Sequence, residues 1–172
     1  MKVFLLQRKR LTALACALAA AAMFYVVNYP AAVSAYATDR QLPIYCVQRD
    51  QKMLSISFDA AWGNEDTQQL IDILGKYNVK ATFFVVGSWV DKYPESVKAL
   101  HDAGHEVMNH SNDHAHMSQL SKEEIIADVE ACNDKIEAVT GVRPTLIRPP
   151  YGEYDNNVIT AIRSIGMEPI QW

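Results

Sequence analysis

Beyond residue 52 the chain alternates between short apolar runs and segments of helical period. Residues 53–58 set Leu54, Ile56 and Phe58 against Ser55 and Ser57, which predicts a strand. Leu70, Ile73, Leu74 and Tyr77 recur at the spacing of one helix face. Residues 80–86, KATFFVV, are β-branched and aromatic, short enough for a buried strand that Gly87 should stop. Pro94 suits the first turn of a helix running to Leu100, with Gly104 closing it. HEVMN, residues 105–109, predicts a third strand. Ser121 with Glu124 three residues on predicts a capping box. The helix it starts should reach Thr140, turn Ile125, Val129, Cys132, Ile136 and Val139 inward, and end at Gly141. TLIR (145–148) predicts a fourth strand, residues 156–165 a helix closed by Gly166, and MEPIQW (167–172) a fifth strand.

Strands and helices alternating in this way imply a parallel sheet with crossover helices. Chemistry in such folds gathers at the C-terminal ends of the strands. Asp59, His110 and Arg148 all fall there. Five strands are too few to close a barrel of seven or eight, so the fold class expected is α/β, an open or incomplete (β/α) barrel.

The first 37 residues follow a different pattern. Arg8, Lys9 and Arg10 precede LTALACALAAAAMFYVV, 17 residues without a charge, and then come Pro30 and two small-x-small sites, Val33-Ser34-Ala35 and Ala35-Tyr36-Ala37. This is the order of a secretory signal, cleaved or retained as a single membrane anchor. Either way the rest of the protein is expected to work outside the cytoplasm. The expected organisation is a signal or anchor over 1–37, a polar lead-in over 38–52, and a catalytic-type domain over 53–172.

Charge sharpens this division. The net charge of −4 hides a leader with four basic residues and no acid, leaving 12 basic against 20 acidic residues in the remainder. That balance argues against nucleic acid or an anionic membrane surface as partner, with membrane contact only through the N-terminal segment. Three cysteines make no disulfide framework, although Cys46 and Cys132 could pair in an oxidising compartment.

Candidate chemistry concentrates in two stretches besides Asp59. In NHSNDHAHM (109–117), His110 and His114 stand four apart, which in a helical turn points both imidazoles at one metal ion. Solvated loop histidines are the other reading, and His116 is a neighbour rather than a ligand. In IRPPYG (147–152), Arg148 ends a strand and would favour the ionised form of a nearby carboxylate. The two prolines remove backbone donors and leave the Tyr151 N–H free to point into a site.

SFDAAWG, NHSNDHAH and RPPYG, in this order on alternating elements, resemble the polysaccharide deacetylases of carbohydrate esterase family 4. The lead-in LPIYCV and the Asp-Ala-Ala-Trp-Gly variant resemble its sporulation-associated branch. The resemblance spans residues 42–172. It implies a metal-dependent hydrolase that removes acetyl groups from the N-acetylated amino sugars of peptidoglycan or a chitin-like polymer. It further implies a divalent metal, Zn²⁺ or Co²⁺, held by His110 and His114, with Asp59 as catalytic base, Arg148 as its partner and the Tyr151 N–H on the oxyanion.

Two departures accompany the resemblance. The family's metal-binding aspartate falls on Ala60, so weak metal binding and impaired turnover are expected. The family's Leu-x-His motif, with its acid histidine, has no counterpart in these residues, which gives the expectation of a barrel truncated after about five strands. A catalytically inactive glycan-binding or structural cell-wall protein is the alternative reading.

Overall fold

A computed structural model describes residues 2–28 and 40–172. These form two compact units, residues 1–40 and 41–172 by their contacts. The described part of the first is a single helix, α1, Lys2–Asn28. Among the described residues no helix is long and apolar enough to cross a membrane. The small-x-small sites expected at residues 33–37 lie outside the described residues.

The second unit is built on five parallel strands in sequential order: β1 (Ser57–Ala60), β2 (Thr82–Val85), β3 (Glu106–Asn109), β4 (Leu146–Ile147) and β5 (Glu168–Pro169). The sheet does not close on itself. Five helices connect or flank the strands: α2 (Thr67–Lys76), α3 (Gly87–Lys92), α4 (Pro94–Asp102), α5 (Lys122–Thr140) and α6 (Asn156–Ser164). One face of the sheet is dry, because alternate strand residues Phe83, Val85, Val107 and Ile147 turn to the helices and are buried. The other face carries Ser57, Asp59, Thr82, Phe84 and Arg148, and all of these but Asp59 line a groove of about 650 Å³. Residues of the lead-in flank this groove. Ile44 bridges to Ile170 in parallel, its N–H donating to Pro169 O at 2.8 Å and its carbonyl accepting from Gln171 N at 2.8 Å. Arg163 of α6 holds the same segment through Gln41 Oε1 and Leu42 O, both at 3.1 Å.

Helix α5 has the expected ends. The Ser121 hydroxyl accepts from Glu124 N, the Glu124 carboxylate accepts from Ser121 N at 2.8 Å, and Gly141 takes φ 75°. Elsewhere the boundaries move. The first strand is 57–60 rather than 53–58, because pairing with β2 begins only at Ser57. Met53 and Leu54 are exposed beside the groove. On α2 the inward residues are Leu70, Ile71 and Leu74, while Ile73 and Tyr77 face solvent. A periodicity of 3.6 fits either phase of this short helix, and the packing side selects one. Gly87 does end β2, but it also starts α3, whose Trp89 and Val90 enter the core. Cys46 and Cys132 do not pair: Cys46 is exposed and Cys132 is buried on the inner face of α5. Burial pushes the Cys132 thiol up to about 12.

Candidate active site

Asp59 and Ser57 project from the same face of β1, two residues apart, and Arg148 at the end of β4 spans both. Its Nη1 donates to Asp59 Oδ1 at 2.7 Å and its Nη2 to Ser57 Oγ at 2.8 Å. The guanidinium lies 4.2 Å from the Phe84 ring and 5.8 Å from that of Trp172. Arg148 is buried and Asp59 retains about a third of its side-chain surface, with 35% exposed. The pair therefore joins residues 89 apart in sequence, one on β1 and the other at the end of β4. Despite its place at the start of a proline-stiffened turn, Arg148 is not a surface residue.

The turn after β3 carries the histidines. It is a loop, not a helical turn, and two of its residues adopt left-handed backbone, Ser111 at φ 73° and His114 at φ 55°. A buried side chain fixes it. Asn109 Oδ1 accepts from Ser111 N at 2.7 Å, while Asn109 Nδ2 donates to Val129 O at 2.9 Å and to Asn133 Oδ1 at 2.8 Å. The loop carbonyls of Ser111 and Asn112 accept from Gly87 N and Ser88 N, both at 3.0 Å, at the start of α3. Spacing alone predicted His110 and His114 to converge on a helical surface. The loop brings them together instead, with ring centroids 5.1 Å apart.

His110 Nδ1 lies 2.7 Å from the Arg148 carbonyl. A carbonyl only accepts, so Nδ1 carries the proton and the Nε2 lone pair is left for a ligand. Burial holds the His110 pKa below the usual imidazole value. The Asp59 charge and the Arg148 carbonyl oppose that shift, and His114 and the Arg148 charge add to it. His116 does not join the pair: its Nδ1 is 3.0 Å from Glu153 Oε2 and its ring stacks on Tyr151 at 4.1 Å. His101 lies on α4, and His105 is buried at the opposite end of β3 from the loop.

Two imidazoles are not a complete metal seat. Ala60 alternates with Asp59 along β1, so its methyl packs toward the apolar cluster of the helix side together with Ala61. Among the described residues no group of three or more His, Cys, Asp or Glu is placed to hold a metal ion. The donors present therefore do not fit the three-ligand set of a metal hydrolase. A pocket of about 200 Å³ opens beside Ala60, lined also by Asp59 and Trp62, and leaves room for a longer side chain.

Tyr151 sits in the short turn after the two prolines with φ 59°, left-handed like His114. Its ring meets that of His114 edge-on at 4.6 Å. Sequence reasoning named Asp59, His110, His114, Arg148 and Tyr151 as candidates. It gave no role to Ser57, Phe84 or Trp62. Only Ser57 left a signal, being two residues from Asp59 on a strand.

Residues 47–170 match the polysaccharide deacetylase family. The chain belongs to that family. Its relatives include the uncharacterised protein YlxY of Bacillus subtilis, 36% identical over 76% of this chain and 41% of that protein. The peptidoglycan-N-acetylmuramic acid deacetylase PdaC of B. subtilis is 42% identical over 62% of this chain and 23% of its own length. Among solved structures, a CE4-family pseudoenzyme from Bacillus anthracis superposes with a TM-score of 0.73 at 37% identity, covering 76% of this chain and 47% of that one. A mutant of the same pseudoenzyme is described as having restored enzymatic activity and matches equally well, with a TM-score of 0.73 at 38% identity, 76% of this chain and 48% of that one. The chain spans between about a quarter and a half of the length of the curated relatives it matches. The likeness extends to the architecture, so the open five-stranded sheet is part of the distorted (β/α) barrel of this family.

Proposed function

We propose that this polypeptide is an exported deacetylase-family domain that recognises the N-acetylated amino-sugar strands of peptidoglycan or a chitin-like polymer, in sporulation, and in which amide hydrolysis is impaired. The observation that carries the reading is the division of the cleft: the Asp59–Arg148 pair is in place, while Ala60 stands where a metal ligand is expected. Relatives that act on peptidoglycan support the substrate class, and the basic-then-apolar leader supports work outside the cytoplasm, whether the leader is cleaved or retained as an anchor.

In this reading the Asp59 carboxylate, held in place by Arg148, accepts a proton from a water placed against the acetamide carbon. The Tyr151 N–H would meet the oxygen that gains charge. His110 and His114 offer two imidazole donors that hold Zn²⁺ or Co²⁺ weakly. No step is derived through the metal, because the third ligand is missing.

A second reading, a domain that binds glycan without hydrolysing it, is favoured by the same Ala60 and by the likeness to a pseudoenzyme. The substitution Ala60→Asp separates the two. Zn²⁺ affinity should tighten in this chain. Acetate release from N-acetylglucosamine oligomers should be followed with Zn²⁺ or Co²⁺, in a polypeptide extended through the family's C-terminal motifs. Release with and without the substitution would show the third ligand to be dispensable. Release only in the Ala60→Asp variant supports the glycan-binding reading for the native chain. Silence in both, from folded protein, would sink the deacetylase assignment for this substrate.

A further inference from the structure

The rim of the cleft is aromatic on the side where the metal seat is incomplete. Trp62 is 84% exposed, and its ring lies 5.6 Å from that of His114, tilted by 56°. His114 meets Tyr151 at 4.6 Å, and Tyr151 stacks on His116 with only 9° between the rings. The backbone beneath Trp62 is pinned although its ring is not covered. The Gly63 carbonyl accepts from the buried Trp89 indole at 2.5 Å, and Asn64 Nδ2 donates to Ser96 Oγ at 3.1 Å. Two side-chain-bearing residues of the rim, His114 and Tyr151, hold left-handed backbone, a conformation that persists only where the surroundings enforce it.

A large ring on a fixed backbone, presented to solvent beside a cleft, is suited to hold a ligand with an apolar face. Pyranoses with equatorial substituents, as in N-acetylated glucosamine polymers, present such a face through their axial C–H groups. Trp62 also lines the pocket that contains Asp59 and Ala60. A sugar ring on the indole would therefore place its neighbour's acetamide at the Asp59 and His110 end. Polar groups for the hydroxyls stand close by on the same rim, Glu153 held against His116 at 3.0 Å and Ser118 at 3.3 Å.

We propose that Trp62 is a sugar-stacking platform that gives this cleft affinity for N-acetylated amino-sugar strands without a metal ion. The proposal rests on the glycan reading above and deepens it: binding is carried by rings rather than by a metal–carbonyl contact. The test uses the full chain with two probes, the soluble N-acetylglucosamine tetramer by calorimetry and purified insoluble peptidoglycan by co-sedimentation. Each is measured with and without EDTA, for the native chain and for Trp62→Ala, Trp62→Phe and Tyr77→Ala. Tyr77 is a comparably exposed ring on the far end of α2 and controls for a general loss of aromatic surface.

Trp62→Ala should weaken binding about tenfold, Trp62→Phe less, and Tyr77→Ala and EDTA not at all. Because Trp62 is largely exposed, the alanine variant should keep the native melting transition. Whichever probe is bound identifies the source of the strand. Native binding that survives Trp62→Ala unchanged, or that EDTA abolishes, overturns the platform and leaves the glycan reading standing. If the native chain binds neither probe, both fall together.

Discussion

The two halves of the cleft are built on different principles. The base half is held by charge. Arg148 reaches from β4 to Ser57 and Asp59 of β1, and each contact is a side chain meeting a side chain. The histidine half is held through main-chain groups of the loop. Ser111 N donates to the buried Asn109 side chain, the Ser111 and Asn112 carbonyls accept from Gly87 N and Ser88 N, and the Arg148 carbonyl meets His110, together fixing a loop with two left-handed residues. The difference explains how Ala60 is tolerated. A loop whose shape comes from backbone bonds keeps its histidines together with no third ligand. A charge pair has no such scaffold and requires both partners. On the proposed reading of Ala60 as the position of a metal ligand, its methyl should lower affinity for an ion and leave the architecture intact.

The comparison breaks most visibly at Asn109. Replacing it by alanine leaves Ser111 N, Val129 O and Asn133 Oδ1 without this partner in a buried site. The expected cost is about 3 kcal/mol, since each buried orphan costs about 1–3 kcal/mol. Urea unfolding measures it. If the backbone of the loop depends on this side chain, Zn²⁺ affinity should fall as well, whereas a change in stability with Zn²⁺ affinity intact would show that the histidines are positioned by other bonds.

Arg148→Met addresses the other half. The substitution keeps some contact with Phe84 but leaves Asp59 and Ser57 without the guanidinium. Removing one partner of a buried ion pair costs about 3–5 kcal/mol, and with Asp59 35% exposed the expected loss is lower, about 2 kcal/mol. The histidine loop should be little affected, because its bond to residue 148 is to the carbonyl. Zn²⁺ affinity close to native in this variant would confirm that the halves are separable, and a parallel loss would show them to be one unit.

The sequence showed the helical frame more plainly than the strands. Ser121, Glu124 and Gly141 announce α5 through interactions within a few residues, so no tertiary contact was needed to place it. The start of β1 is set by its register with Thr82, and the inward face of α2 by the core it meets, information held in residues far along the chain. The same distinction runs through the site. Asp59, His110, His114 and Arg148 are visible as motifs, but the bonds from Arg148 to Ser57 and Asp59 span 91 and 89 residues. Asn109 reads as an ordinary strand residue until α5 packs over it and supplies Val129 O and Asn133. Trp62 could be read as the middle of a turn, and only its exposure beside His114 gives it a role.

The smallest expected effect concerns pH, and it asks how far the histidine half governs acid sensitivity. Strand β3 is flanked by two buried imidazoles, His105 before it and His110 after it. His105 Nδ1 accepts from Ala81 N at 3.2 Å, which requires the neutral ring, and Phe83 packs against it at 5.4 Å. Burial, with a smaller push from the Lys80 charge, holds its pKa below the ordinary value of about 6.5. Between the two values the unfolded chain binds a proton that the folded chain does not. Stability is therefore full above about pH 6.5 and declines as the pH falls from there through the lower folded-state value. His105→Asn keeps an acceptor for Ala81 N and does not titrate, so its unfolding midpoint should decline less between neutral and mildly acid pH. His110 is shifted in the same direction, with burial again the main cause. The slope that remains in the His105→Asn variant then contains the contribution of His110. An unchanged slope would assign the acid sensitivity elsewhere and remove His105 from the account.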